Sequence, residues 1–399
     1  MNPVYIVDSI RTPRARANEK GGLNKLNPYE LLNFLYKDIK QKNFLNLNSI
    51  DEVILGCVTQ YGEQAGNIAK SSALFSRYPD SISGLTVNRF CSSSLDAINL
   101  GHLKIQSQQA NNVIAGGVEM MSRVPMLSDE AVIWNDSAIA TQAKIFLMGS
   151  GADLIASLFN ISRSDVDRQA FMSQQRAANA QINNHFKSII PVIDKNKSIH
   201  CLEDECIRPN ITMESLSTLN PSFKKLGEQG VDKAQLKIFP DLKEILHVHT
   251  AGNSPAMADA ASMTLLSNKK IQENGQKARA KIISVTTVND DPVLVLSGCM
   301  LATQKILTQN NLQVADVDLF EIHEAFASTI IHCQQELNID NEKLNVNGGC
   351  IALGHPMGAT GSIMMSTLID ELERQDLTTG IVATSGAAGA GTAILIERL

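Results

Sequence analysis

Cys91 follows Val87-Asn88-Arg89-Phe90 and precedes Ser92-Ser93-Ser94, after which helical spacing of apolar residues begins. That order puts the thiol at a strand-to-helix turn, beside a helix N-terminus whose unpaired N–H groups and dipole favour a thiolate. A free cysteine there is either a nucleophile or a buried inert thiol, and the local sequence leaves both open. A second segment, Asn345 to Gly361, packs five glycines around His355. Glycine serves where backbone turns with positive φ or approaches a ligand closely, so an imidazole framed by Gly354, Pro356, Gly358 and Gly361 reads as a held general base. A third, Glu321-Ile322-His323-Glu324-Ala325-Phe326-Ala327, ends a strand and starts a helix. It puts another imidazole at the carboxyl edge of a sheet, where open α/β proteins bind ligands. The fourth, Ser385-Gly386-Ala387-Ala388-Gly389-Ala390-Gly391, is a small-residue turn suited to backbone N–H groups facing a developing oxyanion.

Strands must carry these turns. Apolar runs at Val4-Tyr5-Ile6-Val7, Val53-Ile54-Leu55, Leu85-Thr86-Val87, Val113-Ile114-Ala115, Ile282-Ile283-Ser284-Val285, Leu319-Phe320-Glu321-Ile322 and from Thr392 to Ile396 predict buried strands. Residues 380–396 read as buried strand and turn. Leu95, Ile98 and Ile105, and Ile363, Met364, Thr367, Leu368 and Leu372, are spaced for one buried helix face. The alternation predicts α/β layers. An internal echo accompanies it: Asp51-Glu52-Val53-Ile54-Leu55-Gly56 with Val87-Asn88 resembles Asp316-Val317-Asp318-Leu319-Phe320-Glu321 with Val346-Asn347, which suggests duplication. Residues 119–246 differ in texture. They hold an amphipathic helix near Val166 and stretches broken by Pro191, Pro209, Pro221 and Pro240, as an inserted lobe would.

Composition narrows the classes further. With 399 residues, 44% hydrophobic and 19% charged, the chain suits two or three globular domains. A net charge of −6 without a basic block argues against nucleic acid. Seven cysteines without a C-x-x-C pair argue against a disulfide scaffold or zinc ribbon, and the His200, Cys201 and Cys206 cluster lacks common metal spacing, so no metal is expected. Neither a secretory signal nor a bilayer span is legible, which makes a reducing cytoplasm the expected location.

Together the four segments resemble the thiolase family, the acyl-CoA:acetyl-CoA acyltransferases, from the first strand to Ile396-Glu397-Arg398. Gly116-Gly117-Val118-Glu119-Met120-Met121-Ser122-Arg123, Met148-Gly149, Gln174-Gln175-Arg176-Ala177 and His249-Thr250-Ala251-Gly252-Asn253-Ser254 support it. Residues 227–249 look like the longer acetyl-CoA acetyltransferase branch. The resemblance implies an α/β fold of two similar halves in a five-layer αβαβα stack: residues 1–118 with 247–275, then 276–399, with a loop domain, 119–246, covering the CoA site. It implies that Cys91 accepts the acyl group, that His355 takes its proton, and that His355 and His323 bind one thioester oxygen while the N–H groups of Cys91 and Ala387 bind the other. Met148, Ser254, Ala325 and Phe326 match positions at the substrate site. Acyl-CoA and CoA are the implied partners, CoA being a substrate, so no separate cofactor is expected. Lys224, Lys225 and Lys233 are candidates for the CoA phosphates, though a solvated loop is the competing reading. A homodimer or homotetramer is implied, as is a place in fatty acid metabolism.

Ser385 departs from that pattern, because most thiolases carry a second catalytic cysteine there. Ser94, Pro255, Ala387 and Ala388, Asp259-Ala260 and residues 295–302 also drift. An alcohol ionises far less readily than a thiol. Either Cys350 or His323 substitutes for the lost thiol, or carbon–carbon chemistry falls by roughly 10² to 10⁴ while acylation of Cys91 survives. A weakly active acyl-CoA-binding homologue and a decarboxylating Cys-His-His condensing enzyme are the alternatives.

Overall fold

The computed structural model describes residues 2–399. Its main strands are β1 (Val4–Arg11), β2 (Glu52–Gly56), β3 (Ser83–Val87), β4 (Asn112–Met120), β5 (Ala258–Ser267), β6 (Ala280–Asn289), β7 (Leu319–Ile322), β8 (Thr379–Ser385) and β9 (Ala390–Arg398). They pair in the order β7-β8-β9-β6-β1-β5-β4-β2-β3, and the two-residue strand Ala15–Arg16 adds beside β5. The larger helices are α1 (Pro28–Lys42), α2 (Ile68–Phe75), α3 (Ser93–Gln106), α4 (Met148–Leu158), α5 (Arg163–Ile182), α6 (Gly298–Gln309), α7 (Ala327–Leu337) and α8 (Thr360–Gln375).

The sheet has two wings of matching topology. In one, β2 runs parallel to β4, and β4, β5 and β1 are successively antiparallel. In the other, β7 runs parallel to β8, and β8, β9 and β6 are successively antiparallel. A short antiparallel contact, Val4 to Ile6 against Ile282 to Ala280, joins the wings edge to edge into one sheet. The repeated acidic turn and strand seen in the sequence occupy equivalent places, since β2 is flanked by β3 and Phe320 of β7 is bridged in parallel by Leu344.

Period-two side-chain alternation makes the layers. Val53, Leu55 and Ile114 pack with α1 and α2 in one core. Ile54, Val113 and Ala115 face the opposite way, onto a core shared by α3, α8, Val382, Ile394 and Ile396. On the far side Phe320, Ile322, Ile381, Ala383 and Leu395 pack with α6 and α7. Outer helices, wing, central helices α3 and α8, wing, outer helices is therefore the order, a helix-sheet-helix-sheet-helix stack. Because the central helices are covered on both sides, α8 is buried along most of its length.

The segment between β4 and β5 holds α4, α5 and a small hairpin, Val192–Asp194 with Ile199–Cys201. Capping boxes start both α1 (Asn27 with Glu30) and α5 (Ser162 with Asp165), which satisfies N–H groups that a helix start leaves orphaned. Gln169 and Ser173 of α5 hydrogen-bond Glu324, so the lobe is tied to the turn after β7. Among the described residues no helix is long and apolar enough to cross a membrane.

Candidate active site

Cys91 occupies the sharp turn between β3 and α3. Phe90 takes a left-handed φ of 50°, an uncommon conformation for an aromatic residue, and this turns the chain abruptly at the thiol. Local hydrogen bonds hold it: Asn88 accepts from the Phe90 N–H at 2.8 Å and Ser93 Oγ accepts from the Arg89 N–H at 2.9 Å.

His355 reaches the same point from the other half of the chain, with Nε2 3.1 Å from Cys91 Sγ. Its Nδ1 contacts Thr360 Oγ1 at 2.8 Å, and its backbone N–H donates to Ala256 O. Gly354, at φ 92°, adopts backbone open to glycine, and its carbonyl accepts from the buried Arg14 guanidinium at 3.0 Å. Buried Glu119 closes the other side, accepting from the N–H groups of Val58, Thr59 and Gly358 and from Gln64 Nε2. The glycines in the His355 segment thus serve a loop pinned at several points.

Electrostatics differ from the expectation of a ready thiolate. Burial pushes the Cys91 thiol up to about 12, with Glu119 and Cys350 adding to it. Burial, then His323 and Arg14, drive the proton affinity of His355 well below the ordinary histidine value. Burial is the largest cause at the thiol and at the imidazole alike. The resting pair is therefore a neutral thiol beside a neutral imidazole, arranged for the proton to pass to Nε2 as the sulfur attacks.

His323 is fully buried, its ring centroid 4.5 Å from that of His355. Its Nδ1 lies 3.2 Å from the Ser385 carbonyl, which can only accept, so Nδ1 carries the proton. Nε2 is left as a bare acceptor without a partner among the described residues. Burial and Arg14 lower this group to about 4, the Ser385 carbonyl opposing them.

Cys91, His323, His355, Met148, Ala325 and Phe326 line one narrow apolar cavity of about 120 Å³. A second hollow continues from it past Cys91, Met126, Met148 and Met357 to Phe90, Trp134 and Ala387. Neither the Cys91 nor the Ala387 N–H donates to another backbone carbonyl among the described residues. Ser254 sits beside the Pro255-Ala256-Met257 stretch of the wall, its Oγ buried without a partner among the described residues, and is not itself a lining residue.

Ser385 is adjacent but otherwise occupied. Its hydroxyl donates to Leu296 O at 2.7 Å and accepts from the Cys299 N–H at 2.9 Å, and it does not line the cavity. A tight turn sets this up: Val295 has φ 59° and ψ −53°, a strained conformation for a β-branched residue.

In the loop after His200, Cys201 Sγ faces Glu205 from the hairpin. His323, Cys350 and His355 bring ligand-type atoms within 4.8 Å of one another. Arg14, whose positive charge already lowers both histidines, opposes a second cation at that place.

Sequence reasoning missed Arg14, Glu119, Glu324 and Thr360 as residues that hold the site. Glu324 accepts from Ser173 Oγ, Gln169 Nε2 and the Ile351 N–H, tying the His355 segment to the lobe. The signal available was charge: Glu119 and Glu324 each interrupt an apolar or small-residue stretch, where a buried carboxylate must be paid for with donors.

Comparison with known proteins matches this arrangement. The model described as "Thiolase, N-terminal domain" matches residues 4–231, and "Thiolase, C-terminal domain" matches residues 276–398. The chain is 36% identical to a 3-ketoacyl-CoA thiolase of Aliivibrio fischeri, with 100% of each chain covered. It is 34% identical to a beta-ketoadipyl-CoA thiolase of Pseudomonas knackmussii, with 99% of each covered. Among solved structures, the Bacillus anthracis acetyl-CoA acetyltransferase superposes with a TM-score of 0.84 at 29% identity, covering 100% of this chain and 99% of that one. With both family models matched along most of its length, the chain belongs to the thiolase family.

Proposed function

We propose that the protein is a thiolase-type acyltransferase that moves an acyl group between 3-ketoacyl-CoA or acetyl-CoA and CoA through a thioester on Cys91. The observation that carries this reading is the 3.1 Å approach of Cys91 Sγ to His355 Nε2 at the wall of an apolar cavity. As sulfur attacks the thioester carbonyl, its proton passes to Nε2. His355 then returns that proton to the departing CoA sulfur, which leaves acyl-Cys91. Thr360 Oγ1 at the other ring nitrogen favours the tautomer that exposes a lone pair to Cys91. Backbone N–H groups of Cys91 and Ala387, uncommitted to other backbone carbonyls, suit the developing oxyanion.

Methionines 121, 126, 148, 257 and 357 give the cavity an adaptable apolar lining for an acyl chain and pantetheine. The lobe backs this lining, since Phe223 packs edge-on against Phe326 at 5.7 Å. Exposed Lys224 and Lys225 follow Phe223 directly, which favours their meeting the CoA phosphates. We further assign the chain three parts, residues 1–118 with 247–275, 119–246 and 276–399, and a cytoplasmic place in fatty acid metabolism. Self-association is supported by strand β3: it is a sheet edge, and Leu85, Leu74 and Phe75 expose apolar surface around it.

The Cys91, His323 and His355 set also suits a decarboxylating condensing enzyme. Mass spectrometry after incubation with acetyl-CoA, acetoacetyl-CoA or malonyl-CoA separates the readings. An acyl adduct on Cys91 with thiolysis of acetoacetyl-CoA is expected; consumption of malonyl-CoA alone supports the alternative, and no adduct overturns both.

A further inference from the structure

Carbon–carbon bond formation needs a group that takes a proton from the α-carbon of the incoming acetyl-CoA, and Ser385 is not free to do so. Its hydroxyl hydrogen is committed to Leu296 O and a lone pair to the Cys299 N–H, and the side chain stands outside the cavity lining. We propose that His323 Nε2 is the α-proton base, and that the proton it takes passes through His355 to the Cys91 sulfur released as the new bond forms. This rests on the thiolase reading above.

Three observations converge on it. The Ser385 carbonyl consumes the Nδ1 proton, so the lone pair must be on Nε2. Nε2 is buried without a hydrogen-bond partner among the described residues, on a ring that lines the cavity beside Cys91. A buried polar atom left unpaired in a preformed pocket is costly, and a substrate group is what would satisfy it. Finally, a ring nitrogen of His323 lies within 4.8 Å of one of His355, which in turn touches Cys91. Ser385 thus acts by its backbone, fixing the tautomer of the base that replaces its own side chain.

The step balances. The Cα–H bond of acetyl-CoA breaks, its proton going to His323 Nε2 and its electron pair to the enolate. That pair forms the bond to the acyl carbon, and the C–S bond to Cys91 breaks with its electrons on sulfur. Transfer of the proton from His323 by way of His355 regenerates the neutral thiol and both neutral rings. Thiolysis runs the same path in reverse. Cys350 is the rival base. Its Sγ lies within 4.8 Å of a ring nitrogen of each histidine, but it is not among the residues that line the cavity, and burial pushes its thiol up to about 12.

The test follows deuterium exchange at the α-carbon of acetyl-CoA in D₂O and acylation of Cys91 by mass spectrometry, in wild type, His323→Asn and Cys350→Ala. Expected is a hundredfold or greater loss of exchange and condensation in His323→Asn with Cys91 still acylated, and near-normal exchange in Cys350→Ala. Unchanged exchange in His323→Asn, or loss in Cys350→Ala alone, overturns the assignment. Absence of acylation in the wild type defeats the thiolase reading instead. Should His323→Asn fail to fold, ¹⁵N NMR of histidine-labelled wild type decides: an Nδ1–H tautomer with bare Nε2 at neutral pH supports the base, and an Nε2–H tautomer overturns it.

Discussion

Cys91 Sγ and His355 Nε2 meet at 3.1 Å although 264 positions separate the two residues in the chain. The meeting is made by helices rather than by the loops that hold the two side chains. Cys91 precedes α3 and His355 precedes α8, and these helices pack together between the wings. Replacing His355 by Ala leaves the thiol without its acceptor, and we expect acylation of Cys91 by acetyl-CoA to fall by roughly 10² to 10⁴. Cys91→Ala should abolish the adduct. Rapid-quench mass spectrometry measures both, and a persistent adduct in Cys91→Ala would place the nucleophile elsewhere.

The thiol's pH response follows from burial. Its folded value is raised to about 12, above an ordinary cysteine near 8.5, so the thiolate fraction is small at neutral pH and grows about tenfold per pH unit. The lowered affinity of His355 keeps the ring neutral over the same range, so no thiolate-imidazolium pair forms at acid pH. Iodoacetamide alkylation of Cys91 should therefore still be climbing at pH 9. A plateau between pH 5 and 7 is the contrary result.

How far the chain could be read depended on whether a signal was local. Strands β2, β4, β7 and β9 announce themselves through Val, Ile and Leu, and Cys91, His323 and His355 through their turns. Strand β5, ADAASMTLLS, does not: it is buried along its whole length, so polar-apolar alternation is missing, and its Ala and Ser residues carry little strand preference. The raised pKa of Cys91 was equally hidden, because a helix terminus is legible in sequence and the depth at which it is buried is not. Capture of the Ser385 hydroxyl by Leu296 and Cys299 depends on a strained turn at Val295, 90 residues upstream in sequence order.

Glu119 offers a test of the clamp behind His355. Glu119→Ala removes the acceptor of four donors, and a buried donor left unmade costs about 1–3 kcal/mol. Water entering the gap recovers part of this. A clear drop in melting temperature is expected, with loss of acylation at temperatures where the variant is still folded, because Gly358 lies three residues from His355. Calorimetry together with adduct formation measures it; unchanged acylation would show that the clamp serves stability alone.

Strand β3 gives the test of self-association. Leu85 is 38% exposed on an edge strand, beside Leu74 and Phe75. A charge on an edge strand opposes pairing with a second chain. Leu85→Lys should shift sedimentation toward the single-chain mass without changing the melting profile of the monomer, and an unaltered sedimentation coefficient would put the interface on another face.

Gly361 sets how closely the central helices approach. A Cβ there would lie 2.5 Å from Leu95 Cβ and 2.7 Å from Leu95 N, so α8 cannot accept even Ala without moving from α3. Overpacking of this kind costs about 1–3 kcal/mol, but the larger consequence is geometric. The helices separate nucleophile from base as they part, and a displacement of about 1 Å at a reacting pair can cost 10²-fold in rate. Gly361→Ala should thus slow acylation of Cys91 far more than it weakens acetyl-CoA binding. Trimming the opposing side chain does not help, because Leu95 Cβ, N and Cα, at 2.5, 2.7 and 3.1 Å, all remain in Leu95→Ala. Stopped-flow acylation of the single and double variants measures this; recovery in the double variant would show that side-chain volume, not backbone approach, limits the contact between the two helices.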